Sequence, residues 1–208
     1  LYLACAGIGR IVLADGDTVD LTNLQRQILH RDDRLGQLKA ESGRQTLLEA
    51  NPGIEVIALA HRLAGDALLE AVSHVSVVLD CCDNFATRHA INRACVQAGV
   101  PLVSGAAIRF DGQLAVFDAR RADSPCYHCL FPETDEVDEV GCAQLGVFAP
   151  LTGLIGSLQA AEALKIAGGF GTPAVGRLLV IEGRSLEITT IGVPRDPGCA
   201  VCGASAPQ

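Results

Sequence analysis

Methionine is absent from the 208 residues, and the chain opens on Leu1. An initiator is missing with it, so the expectation is a fragment or an alternative start. Charge is sparse: charged residues make up 19%, below the usual quarter, against 49% apolar. That balance leaves ample material for a sizeable core, in one large α/β domain or a core domain with a small appendage. The net charge of −8, with an isoelectric point near 5.0, argues against phosphate-backbone binding as the main task. A basic partner surface or a locally held anionic ligand stays open. No charged stretch followed by an apolar one begins the chain, so no signal peptide is expected. The most apolar region, residues 147–169, is interrupted by Pro150, Thr152, Ser157, Gln159, Glu162 and Lys165. It reads as a buried or amphipathic helix and not as a membrane span. A cytoplasmic protein with neither nucleic acid nor membrane as partner is the expectation.

Internal repeats and low-complexity segments are lacking too; what is present is an alternation. Residues 1–6 read as a helix tail stopped by Gly7 and Gly9, and residues 10–14 as a buried strand ending at Asp15. A helical turn is expected within 21–29, a helix over 37–50 stopped by Asn51-Pro52-Gly53, and a strand over 54–59. A helix at 65–72, a β-branched strand at 75–79, a helix at 85–98 and a strand at 100–103 follow. Strands alternating with helices predict a doubly wound, Rossmann-like, mostly parallel sheet with helices on both faces. After Gly105 the order changes. A strand at 113–117 leads into a polar loop, an acidic and mobile crossover at 133–139, and a long helix at about 150–167. Residues 177–182 and 186–191 predict an antiparallel pair around Gly183-Arg184 as a C-terminal extension.

Nine cysteines stand out against this background. Cys126 and Cys129 form one C-x-x-C, and Cys199 and Cys202 another, each led by a turn sequence. Two such knuckles can give four thiolates to a tetrahedral structural zinc. Disulfides or a redox motif are the alternatives, and an intracellular chain makes them weaker. His128 lies inside the first knuckle and reads as an exposed spectator. Cys5, Cys81 and Cys95 sit in apolar stretches and read as core residues.

A second constellation has the chemistry of a nucleotide site. Asp15 closes a strand where a carboxylate can accept both ribose hydroxyls, although an ordinary strand-end aspartate accounts for it equally well. Asn23, Gln25 and Arg26 share one short segment. Lys39 is one of a single pair of lysines, with Lys165, and opens a helix. Asp83 follows a buried strand at the carboxyl edge, where open α/β sheets bind ligands, and could hold Mg2+. Capping the helix at Phe85 is the competing role for Asp83. A nicotinamide-dependent oxidoreductase is disfavoured, because no G-x-G-x-x-G opens a helix here.

The runs D-G-D-T-V-D-L-T-N-L-Q-R-Q-I-L-H, G-Q-L-K, D-C-C-D-N and V-P-L-V-S-G-A-A-I-R, with the paired knuckles, resemble the ThiF/MoeB/HesA family. These are bacterial relatives of ubiquitin-activating enzymes. The likeness covers nearly the whole chain, and S-G-A-A-I-R with residues 149–169 looks closest to the MoeB type. It implies ATP-dependent adenylation of the C-terminal Gly-Gly carboxylate of a small ubiquitin-like (β-grasp) sulfur-carrier protein, of the molybdopterin or thiamine kind, with Mg2+ and a structural Zn2+. It implies a homodimer as well. Arg26 and Lys39 would then neutralise phosphate charge, Asn23 would donate to the phosphates, Asp15 would fix the ribose, and Asp83 would hold the metal. Cys142, on the crossover, matches a cysteine that takes part in sulfur transfer in ThiF-like relatives and is not required in MoeB-like ones. Cys82 stands where the family usually has threonine. The resemblance implies a single ThiF-type domain over 1–208, with a nucleotide-binding part at 1–118 and a zinc, crossover and carrier-binding part at 119–208. It further implies that the first strand and its Gly-rich turn precede Leu1. The alternative reading is an inactive, zinc-containing binding subunit.

Overall fold

The computed structural model describes residues 1–133 and 146–203, which form two compact units, Leu1–Leu63 and Ala64–Gln208. The first unit is a single parallel crossover. A one-turn helix α1 (Tyr2–Cys5) precedes strand β1 (Arg10–Ala14), helix α2 (Lys39–Ala50) and strand β2 (Glu55–Leu59). β1 and β2 pair in parallel from Arg10↔Glu55 to Ala14↔Leu59. Ala4, Leu47, Ile54 and Val56 form the buried core, with Ile11, Leu13, Leu29 and Leu48 packed against it. α2 approaches β1 closely at Gly43, where a Cβ would lie 3.0 Å from Leu13 and Leu29 side chains. α2 stops where the Asn-Pro-Gly sequence predicts: Gly53 N donates to Asn51 Oδ1 at 3.0 Å, and Asn51 Nδ2 donates to Ala4 O at 2.8 Å.

The second unit runs through α3 (Gly65–Ser73), β3 (Val78–Asp80), α4 (Phe85–Ala98), β4 (Leu102–Ile108), β5 (Asp111–Phe117), α5 (Tyr127–Leu130), α6 (Ala149–Gly168), β6 (Arg177–Glu182) and β7 (Glu187–Gly192). Its sheet has the order β3-β4-β5-β6-β7. α4 ends on Gly99 in the left-handed conformation, φ 65°, which only glycine adopts without strain. Successive residues of β4 show that helices cover both faces. Val103 packs with Leu158 and Ile166 of α6, whereas its neighbour Ser104 meets Arg88 of α4.

The expectation of a mostly parallel sheet is corrected to a mixed one. β1–β2 and β3–β4 are parallel; β4–β5, β5–β6 and β6–β7 are antiparallel. The reversal begins earlier than the C-terminal extension. β4 extends to Ile108, well past the expected end at 103, and turns through Arg109-Phe110 directly into β5. Arg109 takes φ 50° there, and backbone bonds from Phe148 N to Arg109 O at 2.7 Å and Gly183 N to Phe110 O at 2.6 Å hold the turn. β3 starts later than expected, at Val78, since His74 N and Val75 N still bond back to Ala71 O and Val72 O of α3.

Candidate functional site

In the first unit the loop leaving β1 folds back onto the start of α2. Asp15 is half-buried and its Oδ1 accepts from Asp17 N at 2.8 Å. Asp17 in turn meets Lys39, the first residue of α2: Lys39 N donates to Asp17 O at 2.9 Å, and Lys39 Nζ lies 3.2 Å from Asp17 Oδ2. The Lys39 hydrogen bond holds the Asp17 carboxyl below the usual carboxylate range. Val19 N donates to Gln37 O at 2.8 Å and Gly36 N to Val19 O at 2.9 Å, closing the loop; Gly36 takes φ 79°. Asn23 ends the 3-10 turn at Leu21–Asn23, which Asp20 caps by accepting from Thr22 N at 2.8 Å, and Arg26 follows in the next turn, its N donating to Asn23 O at 3.0 Å. Arg26 Nη1 donates to Thr22 O at 3.2 Å. Asp15, Asn23, Arg26 and Lys39 therefore all occur within one small unit. Buried Arg34 anchors the segment between them, donating to Ser42 O at 2.9 Å, Thr46 Oγ1 at 2.6 Å and Glu49 Oε1 at 2.6 Å.

In the second unit Asp83 lies exposed at the carboxyl end of β3. Its competing role as a helix cap falls to Asn84, whose Oδ1 accepts from Thr87 N at 2.9 Å. Just below, Asp80 is 1% exposed and accepts from Arg88 Nη1 at 3.0 Å, Ser104 Oγ at 2.8 Å and Cys82 N at 2.9 Å. The motif at residues 80–84 marks this edge, but Arg88, Ser104 and the buried Gln159 behind it were missed. They are distant in sequence from the motif, and their residue types carry no signal of burial.

Cys126, Cys129, Cys199 and Cys202 converge in the same unit. Sulfur separations are 4.0 Å for Cys126–Cys129, 3.7 Å for Cys126–Cys199 and 3.5 Å for Cys129–Cys202. Tetrahedral zinc with bonds of about 2.3 Å places sulfurs about 3.8 Å apart, whereas a disulfide needs about 2.05 Å. The donor set thus fits a structural zinc and not a disulfide. Asn92 Nδ2 donates to Cys126 Sγ at 3.6 Å and Val201 N to Cys199 Sγ at 3.4 Å, a second layer suited to thiolates. Without metal, burial pushes the Cys126 thiol up to about 11.

Cys95 is buried as expected, but Cys5 and Cys81 are exposed, on a one-turn helix and just past the end of β3. His128 is half-buried with its Nδ1 fully enclosed, because α5 turns that face toward α4. Cys142 and residues 134–139 of the acidic crossover lie outside the described residues.

The family model for the ThiF family matches residues 1–201. The chain belongs to the ThiF family. Among its relatives is the molybdopterin-synthase adenylyltransferase of Salmonella typhimurium, 45% identical over 202 residues, covering 97% of this chain and 80% of the relative. The sulfur carrier protein ThiS adenylyltransferase of Escherichia coli is also 45% identical, over 205 residues, with 99% and 80% covered. The fold and motifs of this ThiF chain are those of an adenylyltransferase domain. In solved structures it resembles E. coli MccB with ATP, at TM-score 0.82 and 26% identity, covering 96% of this chain and 61% of that one. The ThiF chain thus spans about three fifths of the length of MccB. No helix among its described residues is long and apolar enough to cross a membrane.

Proposed function

We propose that this chain adenylates the C-terminal Gly-Gly carboxylate of a small ubiquitin-like sulfur-carrier protein, with ATP as co-substrate and pyrophosphate as product. The observation that carries the reading is 45% identity over nearly the whole chain to two carrier-specific adenylyltransferases, in a chain whose first unit holds Asp15, Asn23, Arg26 and Lys39. The bond between a carboxylate oxygen and the α-phosphorus forms as the bond to pyrophosphate breaks. No proton need move, so the work is positioning and charge stabilisation. Lys39, fixed by Asp17 at the start of α2, and Arg26 neutralise phosphate oxygens. Asn23 donates to them, and Asp15 accepts from the ribose hydroxyls. Asp83 suits Mg2+: it is an exposed carboxylate at a strand end, with the capping duty taken by Asn84. When bound, that ion offsets the charge developing on pyrophosphate. The cysteine cluster has all four positions filled by sulfur, so its zinc serves as a structural clip. The family likeness further supports a homodimer and a carrier of the molybdopterin or thiamine kind.

ATP–pyrophosphate exchange in the presence of a Gly-Gly-ended carrier tests it. Exchange is expected, and Asp83→Ala is expected to abolish it while leaving the circular dichroism spectrum and melting curve unchanged. Normal exchange in Asp83→Ala overturns the metal assignment. Carrier binding with no exchange in the unaltered full-length protein favours the inactive binding subunit instead.

A further inference from the structure

Next to the first cysteine knuckle lies a second group of ligand-type side chains. His89 on α4, His128 on α5 and Glu133 beyond α5 each bring one ligand atom within 4.8 Å of the others. His89 is 3% exposed, yet its Nδ1 has no hydrogen-bond partner, and neither has the enclosed Nδ1 of His128. Leaving a buried polar atom unsatisfied is costly, so two in neighbouring rings call for an occupant. The two rings meet edge to face, with centroids 5.7 Å apart and planes at 71°, and both Nδ1 atoms stay without a partner. Glu133 Oε1 stands 4.0 Å from His89 Nδ1, too far for a hydrogen bond. Arg93 Nη1 donates to both carboxylate oxygens, at 2.8 and 2.9 Å, and holds Glu133 against α4.

We propose that His89, His128 and Glu133 form a second metal site, separate from the cysteine cluster, for a divalent transition-metal ion of the zinc type. Two imidazoles and a carboxylate make a borderline donor set that suits Zn2+ or Co2+ and is poorly matched to Mg2+ or Ca2+. Bonds of about 2.0–2.2 Å need ligand atoms about 3.4 Å apart. The present spacing reaches that value by small side-chain rotations of His128 and the exposed Glu133, which draw in around the fixed His89. Arg93 then becomes an outer partner of the ligating carboxylate. The ion pins α5 to α4, the helix whose Asn92 already accepts from Tyr127 N at 2.9 Å. It adds a second tie beside the cysteine clip and leaves one coordination position for water.

The test uses the full chain with its cysteine site filled by zinc, titrated with Co2+ under visible and near-ultraviolet absorption. One further equivalent of Co2+ is expected, with d–d bands and no sulfur-to-cobalt charge transfer. Exchange into the cysteine site would show that charge-transfer band, so the two sites are read separately. His128→Ala is expected to lose the added equivalent, and Glu133→Gln to weaken it by roughly 10-fold or more. Circular dichroism checks that both variants fold. Absence of the second equivalent in the unaltered protein, or its full retention in both variants, overturns the proposal.

Discussion

Arg88 holds together more than one contact. Its guanidinium donates to Asp80 Oδ2 at 3.0 Å, Ser104 Oγ at 3.1 Å and Gly105 O at 3.1 Å, and also to Cys82 O. Both charges are buried, at 8% exposure for Arg88 and 1% for Asp80. Their net contribution relative to an apolar pair is small, but removing one partner strands the other charge. Arg88→Met is therefore expected to lower the unfolding free energy by about 3–5 kcal/mol, read as a fall in the urea midpoint at unchanged slope. The same residues show what a motif can and cannot reveal. The D-C-C-D-N run marked the carboxyl edge of β3 correctly. Which aspartate faces solvent and which is buried depended on residues 88 and 104, on two other elements.

At the scale of elements, α6 meets β4 through a polar contact inside an apolar seam. Gln159, 3% exposed, donates from Nε2 to Asp80 O at 2.8 Å and Val103 O at 3.2 Å. Gly105 leaves the space this side chain needs, since a Cβ there would overlap the Gln159 carboxamide. Gly105→Ala is expected to cost about 1–3 kcal/mol by displacing the amide from both carbonyls. In a Gln159→Ala background the added cost of Gly105→Ala is expected to fall by at least about 1 kcal/mol, a coupling that a double-mutant cycle of urea unfolding measures. In the one-dimensional pattern Gln159 and Glu162 look like interruptions of an apolar helix. Each is buried to satisfy backbone groups: Gln159 as above, and Glu162 by accepting from Ala174 N at 2.8 Å.

For the whole molecule, the cysteine cluster joins segments that are remote in the chain, with Cys126 and Cys199 separated by 73 positions. Closing a loop of that length restricts the unfolded chain by about 4 kcal/mol in the chain-entropy estimate. Chelation is expected to lower the melting temperature by roughly 10 °C, given about 2–4 °C per kcal/mol for a protein of this size. Scanning calorimetry with and without chelator measures the shift.

Local order was readable from the residues alone because its causes are local. Asn51-Pro52-Gly53 ended α2, Gly99 ended α4, and the paired C-x-x-C knuckles announced a tetrathiolate cluster, each through spacing or backbone preference. So were the segment carrying Asn23 and Arg26 and the helix start at Lys39. Strand direction was legible only in part. The short turn at Gly183-Arg184 foretold the antiparallel β6–β7 pair. Nothing in the composition of β4 or β5 foretold that β5 reverses on β4; the turn at Arg109-Phe110 with the backbone bonds reaching it from Phe148 and Gly183 decided it. The orphaned nitrogens of His89 and His128 belong to this second class as well. Burial and the want of a partner are relations between distant side chains, and only folding brings those side chains together.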